Sequence, residues 1–307
     1  MLKRSFLYLA TLASVSLAIA ATSQAAEPAQ PQGSQMLPTP SKSGYAPVNG
    51  VEVYYAVYGT GKPLILLHGG VGAIEMFGPV LTELAKTHQV IGVDLQAHGR
   101  TLPFDRPMSF EAMAGDVAGL VKFLGYDKAD IMGYSMGGSV ALRTAIDHPE
   151  VVDRLVLVST PYAFAGWHDY NREGMKQMSG RLAEPMKQTP MYQLYTQIAP
   201  DPNNWPKLLE QLGSMIGKDY DWSAAIASIK SPTLLVVGDY DAVRIQHATK
   251  FFELLGGGHK DGMWDGSGMT PNRFAVVPSA THYTLFADPR LAEVAIHFLD
   301  AAKLVAQ

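Results

Sequence analysis

The stretch Ala129-Asp130-Ile131-Met132-Gly133-Tyr134-Ser135-Met136-Gly137-Gly138 decides the fold. A short apolar run enters a G-x-S-x-G turn and leaves it as a helix-favouring segment, residues 136–148. At such a turn the backbone doubles back, so the positions two before and two after the serine must be small. Gly133 and Gly137 supply that room, and Gly138 lets the helix approach the sheet. The serine hydroxyl is then held clear of the surface with a helix N-terminus beneath it. The bare pattern arises by chance about 0.1 times in a chain of this length. The weight therefore rests on its setting, strand before and helix after.

Working outward, short apolar runs recur at residues 51–58, 64–67, 90–93, 131–132, 155–158, 234–237 and 274–277. Runs of this kind suit strands buried on both faces of a mostly parallel sheet. Helical stretches lie between them at 75–86, 109–124, 136–148 and 245–255, and a last helix opens at Asp288-Pro289, a cap residue followed by proline. The alternation predicts an α/β fold, a mostly parallel sheet flanked by helices on both sides. Residues 160–228 break it. They hold no strand-like run but are rich in Met, Tyr and Trp, which reads as a helical cap inserted late in the sheet.

At the N-terminus, Lys3 and Arg4 precede an apolar run ending near Ala21, then Ser23-Gln24-Ala25. This order predicts a secretory signal peptide over residues 1–25, and hence a secreted or periplasmic protein with no stable membrane span after cleavage. Residues 26–44 read as a flexible lead-in, rich in Pro, Ser, Gln and Gly, with the folded domain running over 45–307. The whole chain has 24 basic and 28 acidic residues, and removing Lys3 and Arg4 with no acid makes the balance more negative. That gives no electrostatic reason to expect a nucleic-acid partner. The chain has no cysteine, which excludes disulfides, thiolate metal sites and a cysteine nucleophile.

A serine hydroxyl is a poor nucleophile until a base takes its proton. Of nine histidines, His282 follows the last strand run, at a strand's carboxyl end where open α/β sheets build their sites. His88, His148, His247 and His297 fall on helices or at their ends. His259 sits in a glycine-rich loop, and His168 in the insertion can at most touch substrate. The base in turn needs a carboxylate. The run 234–237 ends in Gly238-Asp239-Tyr240-Asp241, so either acid can serve. Asp241 is preferred, because Asp239 lies nearer the strand and is placed to shape the turn.

Acyl transfer also needs donors aimed at the developing oxyanion. His68-Gly69-Gly70-Val71-Gly72 follows the run 64–67, and the N–H groups of Met136 and Gly70 are assigned to the hole, or Val71 if the loop is shifted by one. The glycine run lacks the lysine and spacing of a phosphate cradle. Asp261 and Asp265 lie in a Gly- and Asp-rich extension, 256–268, without calcium-loop spacing, so a solvated loop or hairpin is expected there. No metal or cofactor is called for.

Together these residues resemble the α/β-hydrolase superfamily over roughly residue 45 to the C-terminus, in the esterase, lactonase and haloperoxidase-like branch with a helical cap. The resemblance matches Ser135 to the nucleophile elbow, Asp241 to the acid, His282 to the base and Gly69-Gly70 to the oxyanion turn. It also covers Asp94-Leu95-Gln96-Ala97-His98-Gly99, whose Asp and His are usually structural or line the entrance. A serine nucleophile, rather than an aspartate, argues against the epoxide hydrolase and dehalogenase branches. The implied function is a serine hydrolase acting on a small-molecule ester or lactone. The same triad also serves C–C bond hydrolysis or perhydrolysis, and a hydrolase fold that had lost turnover would serve as a ligand-binding module.

Overall fold

The computed structural model describes residues 37–302; the signal-peptide expectation and most of the lead-in lie outside the described residues. Eight strands form one sheet in the order β1-β2-β4-β3-β5-β6-β7-β8. They are β1 (Lys42–Val48), β2 (Val51–Tyr58), β3 (Lys62–Leu67), β4 (His88–Val93), β5 (Ala129–Tyr134), β6 (Val152–Val158), β7 (Thr233–Tyr240) and β8 (Arg273–Thr281). β1 and β2 pair antiparallel, as do β2 and β4, and every other pairing is parallel. The mostly parallel sheet read from the alternation is therefore present.

Both faces of the central strands are buried, and the period of two divides them. Ile65, Leu67, Ile91, Ile131, Leu155 and Leu157 face α2 (Phe110–Phe123), α3 (Met136–Asp147) and α8 (Ile245–Leu254). Leu64, Leu66, Val90, Met132, Val156 and Leu234 face α1 (Gly78–Leu84) and α10 (Pro289–Asp300). This explains why the strands read as continuous apolar runs. Between β6 and β7 come α4 (Asp169–Gln177), α5 (Pro190–Ile198), α6 (Trp205–Ile216) and the single turn α7 (Ser223–Ile226), with no strand among them. The α6 residues Leu208, Leu209 and Leu212 are buried in the same core as α2 and α3.

Four local expectations need correction. β1 begins at Lys42, three residues before the expected domain start. It is an edge strand, and Gly44 and Pro47 hid it, because proline is tolerated where no ladder bond is needed. The helix expected over 75–86 is a 3-10 turn, Ile74–Phe77, followed by α1. The break falls at Gly78, whose φ of 40° opposes a continuous helix. His88 opens β4 instead of ending a helix, and it is buried. His282 opens the single turn α9 (His282–Leu285) directly after β8, with no loop between them.

Candidate active site

Ser135 sits at the sharp turn between β5 and α3 with φ 54° and ψ −115°, a conformation that L residues rarely adopt. The turn is held from two sides: the Ser135 N–H donates to the Val158 carbonyl at 2.9 Å, and its own carbonyl accepts from Ser139. A Cβ at Gly133 would overlap the Gly137 carbonyl, and one at Gly137 would overlap the backbone of Leu67 and His68. The glycine requirement is thus the close passage of three chain segments under the serine.

Ser135 Oγ donates to His282 Nε2 at 3.1 Å, and His282 Nδ1 donates to Asp241 Oδ1 at 3.0 Å. Three residues spread over 147 positions of the chain thus form one chain of hydrogen bonds at the carboxyl ends of β5, β7 and β8. The Asp241 carboxylate is 7% exposed and saturated. It also accepts from Ser159 Oγ at 2.6 Å, Gly238 N at 3.0 Å and Val243 N at 3.1 Å. Burial alone would raise this carboxyl, but the His282 hydrogen bond and charge, with the Ser159 hydroxyl, hold it below its ordinary value. Asp239 is exposed, and its Oδ1 accepts from the Ala280 N–H at 3.1 Å, so it ties β7 to β8 and does not approach His282.

The His282 ring is fixed by packing as well. Trp167 meets it edge-on at 5.4 Å between centroids, and the Tyr134 hydroxyl donates to the His282 carbonyl at 2.7 Å. Ser159, Trp167 and Tyr134 were not singled out from the sequence. Ser159 had a signal available, since it stands at the carboxyl end of β6, beside β5 and β7. Trp167 had none, because its placement depends on how the insertion folds back.

On the other side of Ser135, the Val71 N–H donates to His98 Nε2 at 3.0 Å and is engaged. The Gly70 N–H makes no hydrogen bond among the described residues, and the Met136 N–H is in the first turn of α3, where the helix offers it no acceptor. Both residues line the cavity beside Ser135. The glycine loop is held by a reciprocal brace. His68 Nε2 accepts from Leu95 N at 3.0 Å while His98 accepts from Val71, and each ring gives its Nδ1 proton to a carbonyl, Gly69 or Gln96. Burial keeps both rings neutral, lowering His68 to about 4 and His98 to about 3. Asp94 accepts from the backbone N–H groups of Ile74 and Arg100 and from the Arg100 guanidinium, completing the loop's support.

The cavity itself, about 60 Å³, is lined by Gly70, Ser135 and Met136 and by cap residues Trp167, Met175, Ile216 and Tyr220. His168 is exposed and does not line it, and neither does the exposed His259. A larger cavity, about 560 Å³, lies at the amino ends of β7 and β8 against α10; none of Ser135, Asp241 and His282 lines it. The 256–268 extension contains no helix or strand, and among the described residues no group of three or more His, Asp or Glu could hold a metal ion. No helix of the described residues is long and apolar enough to cross a membrane.

A family model for the alpha/beta hydrolase fold matches residues 62–197. The soluble epoxide hydrolase of a Corynebacterium species is 39% identical over 116 residues, which are 37% of this chain and 40% of that protein's length. The 2-hydroxy-6-oxo-6-(2'-aminophenyl)hexa-2,4-dienoic acid hydrolase of Metapseudomonas resinovorans is 26% identical over 81% of this chain and 88% of its own length. Carboxylesterase CesB of Bacillus subtilis superposes with a TM-score of 0.65 at 21% identity, over 86% of this chain and 93% of its own. The enol-lactonase of Burkholderia xenovorans superposes with a TM-score of 0.63 at 20% identity, over 84% of this chain and all of its own. The AB hydrolase superfamily protein YisY of Bacillus subtilis is 30% identical over 63% of this chain and 79% of its own length. With an eight-stranded sheet of the matching architecture and a serine elbow at its centre, the chain belongs to the α/β-hydrolase superfamily of enzymes.

Proposed function

We propose that this protein is a serine hydrolase that cleaves a carboxylic ester or lactone through an acyl-enzyme on Ser135. The single observation that carries the reading is the unbroken chain Ser135–His282–Asp241 beside two amides without an acceptor among the described residues, Gly70 and Met136. Ser135 Oγ attacks the carbonyl carbon while its proton passes to His282 Nε2. The Gly70 and Met136 N–H groups receive the oxyanion. Collapse expels the alkoxide, which takes the proton from His282. A water then attacks the acyl-enzyme with His282 again as base and releases the acid. Asp241 stays ionised and holds the imidazole in the tautomer that leaves Nε2 free to accept.

A second reading is favoured by one observation: a relative matched over 81% of this chain and 88% of its own length is a hydrolase of a hexadienoic acid. On that reading the same Ser135 machinery cleaves a carbon–carbon bond next to a ketone. Activity-based labelling with a fluorophosphonate, followed by peptide mapping, tests the shared core. Label on Ser135, with turnover of 4-nitrophenyl esters or lactones abolished in Ser135→Ala, supports the hydrolase. Retained turnover in that variant overturns it. Parallel assays of a 2-hydroxy-6-oxo-dienoate and of peroxide-dependent halogenation separate ester, carbon–carbon and perhydrolase chemistry.

Export through the N-terminal segment, to the periplasm or medium, belongs to the same proposal. It rests on the order of basic, apolar and small residues before Ala26.

A further inference from the structure

The cavity beside Ser135 is small and not uniformly apolar. At about 60 Å³ it falls well below the ~300–1,000 Å³ of a drug-sized ligand site, so it suits a short group. Phe110, Met175 and Ile216 supply apolar wall. Two hydroxyl-bearing side chains, Ser139 and Tyr220, interrupt it. Ser139 stands one helical turn beyond Ser135 on α3 and is 1% exposed. Tyr220, from the cap, lines the same cavity as Ser139 and Trp167.

A wall that served only to exclude water would do so best with apolar side chains, since a desolvated hydroxyl costs stability unless it is partnered. The Ser139 and Tyr220 side chains, on the wall of one cavity, instead offer hydroxyl donors and acceptors to a polar substrate atom. His282, which must meet the leaving group, does not line this cavity, so the space belongs to the acyl part of a substrate.

We propose that the Ser139–Tyr220 hydroxyl pair is the specificity element of the site. It selects short acyl groups that carry a hydroxyl or keto oxygen a few atoms from the scissile carbonyl. The inference rests on the serine-hydrolase reading above. A pocket built to hydrogen-bond such an oxygen discriminates against the isostere that lacks it, because its own polar groups are then left without that partner.

Matched 4-nitrophenyl esters of 3-hydroxybutyric and 3-methylbutyric acid differ by a hydroxyl in place of a methyl and provide the test. The wild-type enzyme is expected to favour the hydroxy ester by at least ~10-fold in kcat/KM. In Tyr220→Phe, and independently in Ser139→Ala, that ratio should collapse toward one whatever the absolute rates. Equal rates in the wild type, or a ratio unchanged in both variants, overturns the proposal. Fluorophosphonate labelling keeps the two readings apart: a labelled Ser135 with no acyl preference removes only this inference. If Ser135 is not labelled and neither ester turns over, calorimetric titration of the two free acids into wild-type protein reads the same discrimination without catalysis. Equal affinities there overturn it as well.

Discussion

Two aspartates two positions apart end the same strand, yet only one reaches the imidazole. β7 carries Asp239 outward to accept from the Ala280 amide, while Asp241 turns inward and is wrapped by four donors. Asp241→Asn should therefore lower kcat by at least ~100-fold with the fold retained, because the amide cannot hold the same tautomer. Asp239→Asn should stay within about threefold of wild type, as expected of an exposed side chain away from the reaction. Steady-state kinetics with circular dichroism checks both, and the reverse ranking would make Asp239 the acid. Nothing in the local string Gly-Asp-Tyr-Asp decides between the two. The decision needs β8 beside β7, with His282 brought to Asp241.

Among the elements, the loops after β3 and β4 act as one unit through the His68 and His98 brace. The sign of their pH dependence follows from rings kept neutral by burial. An unfolded histidine takes up a proton near pH 6.5, and these two do so only near 4 and 3. The unfolded chain thus binds more protons below pH 6.5, and stability contributed by the pair is full above that pH and lost as pH falls through the window. At pH 5 each ring should account for about 2 kcal/mol of lost stability. Urea midpoints of wild type and His98→Gln at pH 7.5 and pH 5 check it. The variant should lose less on acidification, and the paired comparison cancels carboxylates such as Asp94, which burial raises to about 6. The cap makes a parallel prediction. Leu212 of α6 is 1% exposed and packs over Gly70, so Leu212→Ala should cost about 3 kcal/mol and raise KM by loosening the wall above the oxyanion amides. An unchanged midpoint in thermal or urea unfolding would mean that α6 is not part of the cooperative core.

For the molecule as a whole, export predicts a mature N-terminus at Ala26, within a few residues, when the full chain is expressed in a bacterium with a periplasm. N-terminal sequencing of the periplasmic fraction checks this, and an intact Met1 recovered only from cytoplasm would overturn it. The sheet, its two helical layers and the serine elbow were legible beforehand, because parallel strands buried on both faces leave continuous apolar runs and a G-x-S-x-G turn needs its glycines locally. Ser135, the two candidate acids and His282 were legible as candidates because each stands at the end of a recognisable strand. The edge strand β1 was not, since a strand with one unpaired side tolerates Pro47 and loses the usual signature. Hidden too were Ser159 on Asp241, Trp167 against His282, the engaged Val71 amide that leaves Gly70 for the cavity, and the Ser139–Tyr220 pair. Sequence alone determined the buried strands, the helices that cover them and the serine elbow, because periodicity and turn sterics act over a few neighbours. Only the tertiary structure decided which acid, which amide and which cap side chains meet at Ser135, because hydrogen bonds form or fail over a few tenths of an ångström that no string of residues encodes.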